Sequence, residues 1–427
     1  MRQPQNSSQP SLPGLVDPPD PLKDEDWLAK YVEITELFSP THPVREIELF
    51  AGRRTQILRL VDSVFQAGQH AIIYGERGVG KTSLAITVRQ KVFPVSTRVK
   101  FFDTKCFQTD DFADIWARVF DGYIFDNGDY AVEDIDDTLD PYLIKKMMDK
   151  FPKTIIPVFI FDEFDRIENK ETRLAMAETI KILSDDCPLI TIILVGIGRT
   201  IRDLLDDHQS VRRALKQVEM PRMSPPEVIE LVQLRLEKAG MTISEAALSE
   251  LCMLCRGMPG YAHLLGMHAA KAAIGAQSLH VDSDHLWNSL GVALNEAEDI
   301  VKQDYRSATQ SVQPGNQLKQ ALLACALAEV DEFGSFTATA VREPFSKIMD
   351  SPKDIPDFNR HLNTFCTKER GAVLERYGSP KNYHYKFRDA MIQCYVTMRG
   401  VSDGFIKQID LSNPQAPSFS TASPPPS

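Results

Sequence analysis

The ten residues YGERGVGKTS, Tyr74–Ser83, decide the fold of this chain of 427 residues. From Gly75 onward they match the pattern G-x-x-x-x-G-K-[ST] at every fixed position. Glycines let a backbone turn tightly and aim its N–H groups at a phosphate. Lys81 is predicted to reach the β and γ oxygens of a nucleotide, and the Thr82 hydroxyl to bind Mg²⁺. The predicted binding loop consists of Gly75, Glu76, Arg77, Gly78, Val79, Gly80, Lys81, Thr82 and Ser83.

The sequence on both sides of the loop supports this prediction. An apolar run, His70–Tyr74, leads into the loop, and the segment TSLAITVRQKVF after Lys81 has the pattern of a helix. A strand that enters the loop and a helix that leaves it bring the positive helix N-terminus to the same anion. The stretch therefore predicts a P-loop of a nucleoside triphosphatase.

A second apolar run ends in two carboxylates. In TIIPVFIFDEFDRI, the residues Asp162 and Glu163 come directly after a predicted strand. The carboxyl ends of parallel strands lie at the ligand-binding edge of a sheet. Asp162 is predicted to hold Mg²⁺ through water, and Glu163 to orient or deprotonate the attacking water. The pair indicates that the bound nucleotide is hydrolysed.

Short β-branched runs alternate with helical segments through the first half of the chain. The predicted strands are His70–Tyr74, Val99–Asp103, Ile155–Phe161 and Ile190–Gly196. Their almost continuous apolar character is typical of strands that are buried on both faces. The predicted core, residues 27–223, is an α/β unit with a parallel sheet and helices on both faces.

The second half of the chain predicts helices. Ser224, Pro225 and Glu227 form a helix-start pattern at the beginning of a predicted helical lid and connecting helix, residues 224–312. Residues 313–410 contain three helical patterns followed by a hairpin, which together predict a winged helix. Polar, proline-rich compositions predict disordered tails at residues 1–26 and 411–427.

Charge restricts the partners that can be predicted. A net charge of −11 argues against a surface that binds nucleic acid throughout. The segment 368–388 is locally basic, however, and Arg360, Lys381 and Lys386 are candidate contacts to double-stranded DNA. Asp354 and Asp357 lie near the start of the predicted helix that carries Arg360, and their charge would repel DNA. A protein partner is therefore the alternative. No stretch predicts a signal peptide or a membrane span, and a cytoplasmic location is expected.

The longer stretch ELFAGRRTQILRLVDSVFQAGQHAIIYGERGVGKTSLA resembles the start of AAA+ ATPases of the initiator-like branch. That branch includes the origin-recognition and cell-division-cycle loaders. The resemblance implies ATP and Mg²⁺ as cofactors, an ATP-dependent homo-oligomer, and a position for Arg53 beside the adenine. In HQSVRRALKQVEMPRMSPPE, it implies that Arg212 or Arg213 reaches the nucleotide of a neighbouring subunit.

The segment RGMPGY, Arg256–Tyr261, resembles a different group. A G-x-P pattern here is similar to that of STAND-type ATPases (signal-transduction ATPases with numerous domains), in which Pro259 would approach the adenine. Two functions therefore stay open at the level of sequence. One is an initiator-like ATPase that binds DNA, and the other is a STAND-type switch whose winged helix docks a separate effector protein.

Overall fold

The structure is a computed structural model. It describes residues 25–40, 50–92, 96–126, 128–136, 138–197, 211, 213–313, 315–331, 334–379 and 382–406. The predicted C-terminal tail, most of the N-terminal tail, Arg212 and Lys381 lie outside these residues.

The first half of the chain folds around a parallel sheet of five strands. Its elements are α1 (Glu25–Leu37), α2 (Arg54–Phe65), β1 (His70–Gly75), α3 (Lys81–Val92), β2 (Val99–Lys105), α4 (Phe112–Val119), α5 (Pro141–Met148), β3 (Ile156–Asp162), α6 (Lys170–Asp186), β4 (Thr191–Ile197) and β5 (Leu215–Glu219). The strand order is β2-β3-β4-β1-β5, and all pairs are parallel. The predicted α/β fold and its four predicted strands are confirmed.

Alternate side chains of each inner strand enter separate cores on the two faces of the sheet. Ile73 and Ile193 pack with α2, α3 and the lid, whereas Ile72 and Ile192 pack with the aromatic residues of α4 and the helices beyond it. Because both faces are buried, every residue of β3 is buried as well. The sequence analysis missed β5, whose segment LKQVE has only two buried residues, Leu215 and Val218, and so lacks a continuous apolar run.

The lid consists of α7 (Pro225–Lys238), α8 (Glu245–Cys255), α9 (Pro259–Gly275) and α10 (Ser283–Glu296), with the short strands β6 (Thr242–Ile243) and β7 (His280–Val281). Ser224 is the N-cap of α7, as the sequence predicted. Helix α9 is the centre of the lid, since thirteen of its seventeen residues are buried. It packs against α1, α7, α8 and α10.

The last part of the chain contains α11 (Asp299–Thr309), α12 (Leu318–Leu327), β8 (Ser335–Thr337), α13 (Ala338–Ile348), α14 (Ile355–Phe365), β9 (Leu374–Ser379), β10 (Asn382–Phe387) and α15 (Ala390–Ser402). We call residues 318–406 the C-terminal unit. Its three helical patterns and its antiparallel pair β9–β10 occur as predicted, and β8 adds a third strand beside β10. Helix α15, which the sequence analysis did not predict, packs against α8, α10, α11 and α12. One continuous apolar cluster therefore joins the core, the lid and the C-terminal unit.

Candidate nucleotide site

The loop between β1 and α3 requires glycine at two positions. Gly80, just before Lys81, has a φ of +95°, which residues with a side chain rarely adopt. At Gly75, an added Cβ would overlap the carbonyl oxygen of Met220. The loop can therefore turn tightly from strand to helix and place its backbone N–H groups around an anion.

Lys81 lies inside this loop. Its Nζ donates hydrogen bonds to the carbonyl oxygens of Gly75 (3.1 Å) and Glu76 (2.8 Å). Burial lowers the pKa of Lys81 to about 8, although the carboxylates of Asp165, Asp162 and Glu76 act in the opposite direction. An ammonium group that is desolvated and hydrogen-bonded only to neutral carbonyls can donate instead to phosphate oxygens.

Thr82 and Asp162 meet where α3 begins and β3 ends. The Thr82 hydroxyl donates to Asp162 Oδ2 over 2.9 Å, and the other carboxylate oxygen accepts the N–H of Glu163. Burial raises the pKa of Asp162, while these two hydrogen bonds lower it. A hydroxyl and a carboxylate are oxygen donors of the kind that Mg²⁺ prefers. The two predicted metal ligands therefore fit the ion.

Glu163 has a strained backbone and a restrained side chain. Its φ is +58°, which is uncommon for a residue other than glycine and typical of functional sites. Its carboxylate lies 2.9 Å from Arg166 Nε and 3.9 Å from Lys105 Nζ. Both cations were missed by the sequence analysis, although Lys105 ends the strand next to β3. In this conformation the carboxylate of the predicted base therefore faces two cations.

A small cavity lies between the core and the lid, beside the loop. It is lined by Phe50, Ala51, Arg53, Val79, Gly80, Ser83, Met220, Met223, Leu231, Arg235, Pro259 and His263. The predicted adenine neighbours Arg53 and Pro259 both belong to this wall. Mostly apolar walls with a few polar groups are typical of small-molecule sites.

Arg53 joins the parts that surround the cavity. Its guanidinium donates to the carbonyl oxygens of Pro221 (2.6 Å) and Val79 (3.4 Å), and its backbone N–H donates to Glu227 of the lid. Burial lowers the pKa of Arg53, and the charge of Glu227 partly offsets this effect. Arg53 therefore fixes the cavity wall at the P-loop.

Arg213 lies far from the loop of its own subunit. It is exposed and precedes Leu215, which pairs with His70 at the start of β1. The P-loop follows the other end of β1, and six residues of strand span roughly 20 Å. Arg213 therefore lies at the opposite edge of the sheet from its own nucleotide site.

The C-terminal unit contacts the P-loop directly. Glu76 pairs with Arg222 (2.7 Å) and with Lys386 on β10 (2.8 Å), while Arg77 pairs with Asp389 (3.2 Å). The side chain of Lys386 is only 10% exposed. In this conformation Lys386 lies against the P-loop, and the prediction that it faces DNA does not hold here. Of the other two predicted DNA contacts, Arg360 is exposed on α14 and Lys381 lies outside the described residues.

In this parallel sheet, the threonine of a G-x-x-x-x-G-K-T loop meets an aspartate at the end of another strand. This arrangement defines a P-loop nucleoside triphosphatase fold. Residues 65–205 match the family model described as an AAA domain. The match covers about a third of the chain and includes the P-loop and Asp162. No curated protein matches the chain by sequence.

Several solved structures resemble this chain at low sequence identity. The Walker-type ATPase Paby2304 of Pyrococcus abyssi matches with a TM-score of 0.51 and 15% identity, over 84% of this chain and 99% of that one. The ORC2 protein of Aeropyrum pernix matches with a TM-score of 0.46 and 14% identity, over 86% and 98% of the two chains. Cdc6p of Pyrobaculum aerophilum gives 0.44 and 13%, over 87% and 98%. None of the helices in the described ranges combines the length and the apolar character needed to cross a bilayer.

Proposed function

We propose that this chain is an ATP-hydrolysing AAA+ switch of the initiator-like branch. The observation that carries the proposal is the meeting of Lys81, Thr82 and Asp162 at one edge of the sheet, beside the cavity under the lid. Thr82 would hold Mg²⁺ directly, and Asp162 would hold it through water. When bound, the ion would neutralise charge on the phosphates.

Two side chains would change partners when ATP binds. Lys81 would exchange the carbonyl oxygens of Gly75 and Glu76 for the β and γ oxygens of ATP. Glu163 would leave Arg166 and Lys105, orient a water against the γ phosphate and take its proton. Hydrolysis would therefore be slow in an isolated subunit, in which these ion pairs persist.

A neighbouring subunit would complete the site. Arg213 is exposed and lies at the sheet edge opposite its own loop, so it can act only on the nucleotide of another copy. A planar guanidinium would stabilise the charge on the transferred phosphate. Arg212, the other candidate, is adjacent in sequence. We therefore propose an ATP-dependent homo-oligomer.

The rate of ATP hydrolysis per subunit should rise with protein concentration, because each site needs an arginine from a neighbour. Changing both Arg212 and Arg213 to Lys should remove this rise, since lysine lacks the planar group. Lys216→Ala is the control, because Lys216 lies three residues after Arg213, on edge strand β5, and pairs with Asp62. A rate per subunit that stays constant over a hundredfold range of concentration would contradict the proposal.

The C-terminal unit would be the part of the chain that changes position with the nucleotide. Its strand β10 and Asp389, the N-cap of α15, contact Glu76 and Arg77, which belong to the loop that would hold the phosphates. A loop that rearranges around ATP would shift both ion pairs. Nucleotide state would therefore be coupled to the position of the C-terminal unit.

Double-stranded DNA is the proposed target of that unit, through Arg360, Lys381 and Lys386. Lys386 cannot contact a phosphate of DNA while it pairs with Glu76, so DNA binding would require release from the loop. The alternative is a STAND-type ATPase whose C-terminal unit docks an effector protein. Pro259 favours this alternative, because it lies in the cavity wall where the G-x-P pattern implies contact with the adenine.

Binding to a short labelled DNA duplex distinguishes the two functions. With ATP, we expect salt-sensitive binding that weakens several-fold in Arg360→Ala and is unchanged in Lys347→Ala. Lys347 is a suitable control because it is an exposed lysine of the same unit. With ADP, binding should be weaker. Absence of binding at low salt in either nucleotide state would favour the effector alternative.

A further inference from the structure

His263 has a place in the cavity that the proposed function does not explain. It lies on α9 one turn after Pro259, so both side chains are on the same face of the helix. The residue is only 3% exposed, and its ring forms part of the cavity wall. It therefore borders the cavity in which the base of ATP would lie.

A backbone group fixes the tautomer of this histidine. The N–H of Ser39 points at His263 Nδ1 over 3.1 Å. A backbone N–H can only donate, so Nδ1 carries a lone pair and the ring hydrogen is on Nε2. Within the described ranges, no hydrogen bond reaches Nε2. The Nε2–H group is therefore a donor that has no acceptor among the described residues.

The surroundings keep the ring neutral and in place. Burial moves the pKa of His263 well below its usual value, and the charge of Arg235 adds to this effect. A second proton on Nδ1 would also oppose the N–H of Ser39. Phe38 packs edge-on against the ring, with centroids 6.0 Å apart. His263 therefore stays a neutral donor through the physiological pH range.

The two arginines of the cavity are engaged elsewhere. Arg53 donates to the carbonyl oxygens of Val79 and Pro221, as described above. Arg235 donates to the carbonyl oxygens of Leu37 and Leu231. Both guanidinium groups hold the backbone around the cavity, which leaves His263 as the side chain best suited to read the base.

We propose that His263 donates a hydrogen bond from Nε2 to a ring nitrogen of adenine and so contributes to the selection of the nucleotide. This inference rests on the proposed function, because it assumes that ATP binds in this cavity. Adenine presents N1, N3 and N7 as acceptors, and a buried donor left without an acceptor is costly. Nucleotides whose base lacks an acceptor at the contacted position should therefore bind more weakly.

Two substitutions of His263 distinguish the role of the donor Nε2 from that of Nδ1, which accepts from Ser39. In His263→Asn, the side-chain oxygen can still accept from Ser39 but the amide is too short to replace Nε2. In His263→Gln, the amide nitrogen reaches the position of Nε2. We expect ATP affinity to fall about three- to tenfold in the Asn variant and to recover in the Gln variant. His268→Asn is the matched control, because this buried histidine of the same helix pairs with Glu296 instead.

Analogues of ATP identify the contact without changing the fold. Wild-type protein should bind one of 1-deaza-, 3-deaza- and 7-deaza-ATP more weakly than ATP, and His263→Asn should bind that analogue and ATP alike. Equal binding of all four nucleotides by wild-type protein would overturn the inference, as would unchanged ATP affinity in the Asn variant. If wild-type protein bound no ATP, the proposed function itself would fail, and the two failures are thus distinguishable.

Discussion

Glu163→Gln should reduce ATP hydrolysis by about a hundredfold or more while ATP still binds. The amide can hold a water but cannot take its proton, and Lys81, Thr82 and Asp162 remain in place to hold the nucleotide. Single-turnover hydrolysis of radiolabelled ATP measures the chemical step, and equilibrium dialysis measures binding. Their combination separates a defect in chemistry from a defect in affinity.

Lys81→Ala is the comparison for this prediction. It removes the ammonium group that would contact the β and γ oxygens, so binding and hydrolysis should both be lost. A second comparison, Arg166→Ala, removes one of the two cations that restrain Glu163 and should not slow hydrolysis. A Glu163→Gln protein that hydrolysed ATP at the wild-type rate would show that another group activates the water.

Local signals explain what the sequence could predict. The P-loop and the Asp162–Glu163 pair were predictable because phosphate binding needs particular residue types at fixed spacing beside a strand. The three inner strands, β1, β3 and β4, were predictable because burial on both faces leaves continuous apolar runs. Edge strand β5 lacks such a run, and its prediction failed for that reason.

Contacts between distant residues explain what the sequence could not predict. Arg77 and Asp389, which form an ion pair, are 312 residues apart in the chain. A basic residue on a hairpin has the same local pattern whether it faces solvent, DNA or a carboxylate of another domain. The sequence analysis therefore assigned Lys386 to DNA, although the fold places it against Glu76. The tautomer of His263 likewise depends on Ser39, which is 224 residues away.

Breaking the contact between Glu76 and Lys386 should release the C-terminal unit from the P-loop. The pair is largely buried, with side chains 22% and 10% exposed, and Arg222 shares the same carboxylate. Burial raises the pKa of Glu76, but Arg222 and Lys386 outweigh it, so the net pKa is lowered and the carboxylate is charged at neutral pH. Loss of Glu76 leaves two largely buried cations without their carboxylate, and loss of Lys386 leaves that carboxylate with Arg222 alone. Each change should therefore destabilise the docked arrangement.

Hydrogen exchange of β10 and α15 is the direct readout of this release. We expect Glu76→Ala and Lys386→Ala each to increase exchange in residues 382–402, and the double variant to add little to either one. A double-mutant cycle on the free energy of opening should give a coupling of about 1–3 kcal/mol. The exposed pair Glu343–Lys347, one turn apart on α13, is the control and should give a coupling below about 0.5 kcal/mol.

The same variants test whether the contact is regulatory or only structural. If docking restrains the P-loop, Lys386→Ala should exchange bound ADP for ATP faster than wild-type protein, because the loop no longer carries the ion pair. Lys386 lies outside the nucleotide cavity, so affinity for the base should not change. Faster hydrogen exchange without faster nucleotide exchange would show that the contact only holds the C-terminal unit against the P-loop and has no effect on nucleotide binding. If hydrogen exchange and nucleotide exchange both became faster, the P-loop would be the element that couples nucleotide binding to docking of the C-terminal unit.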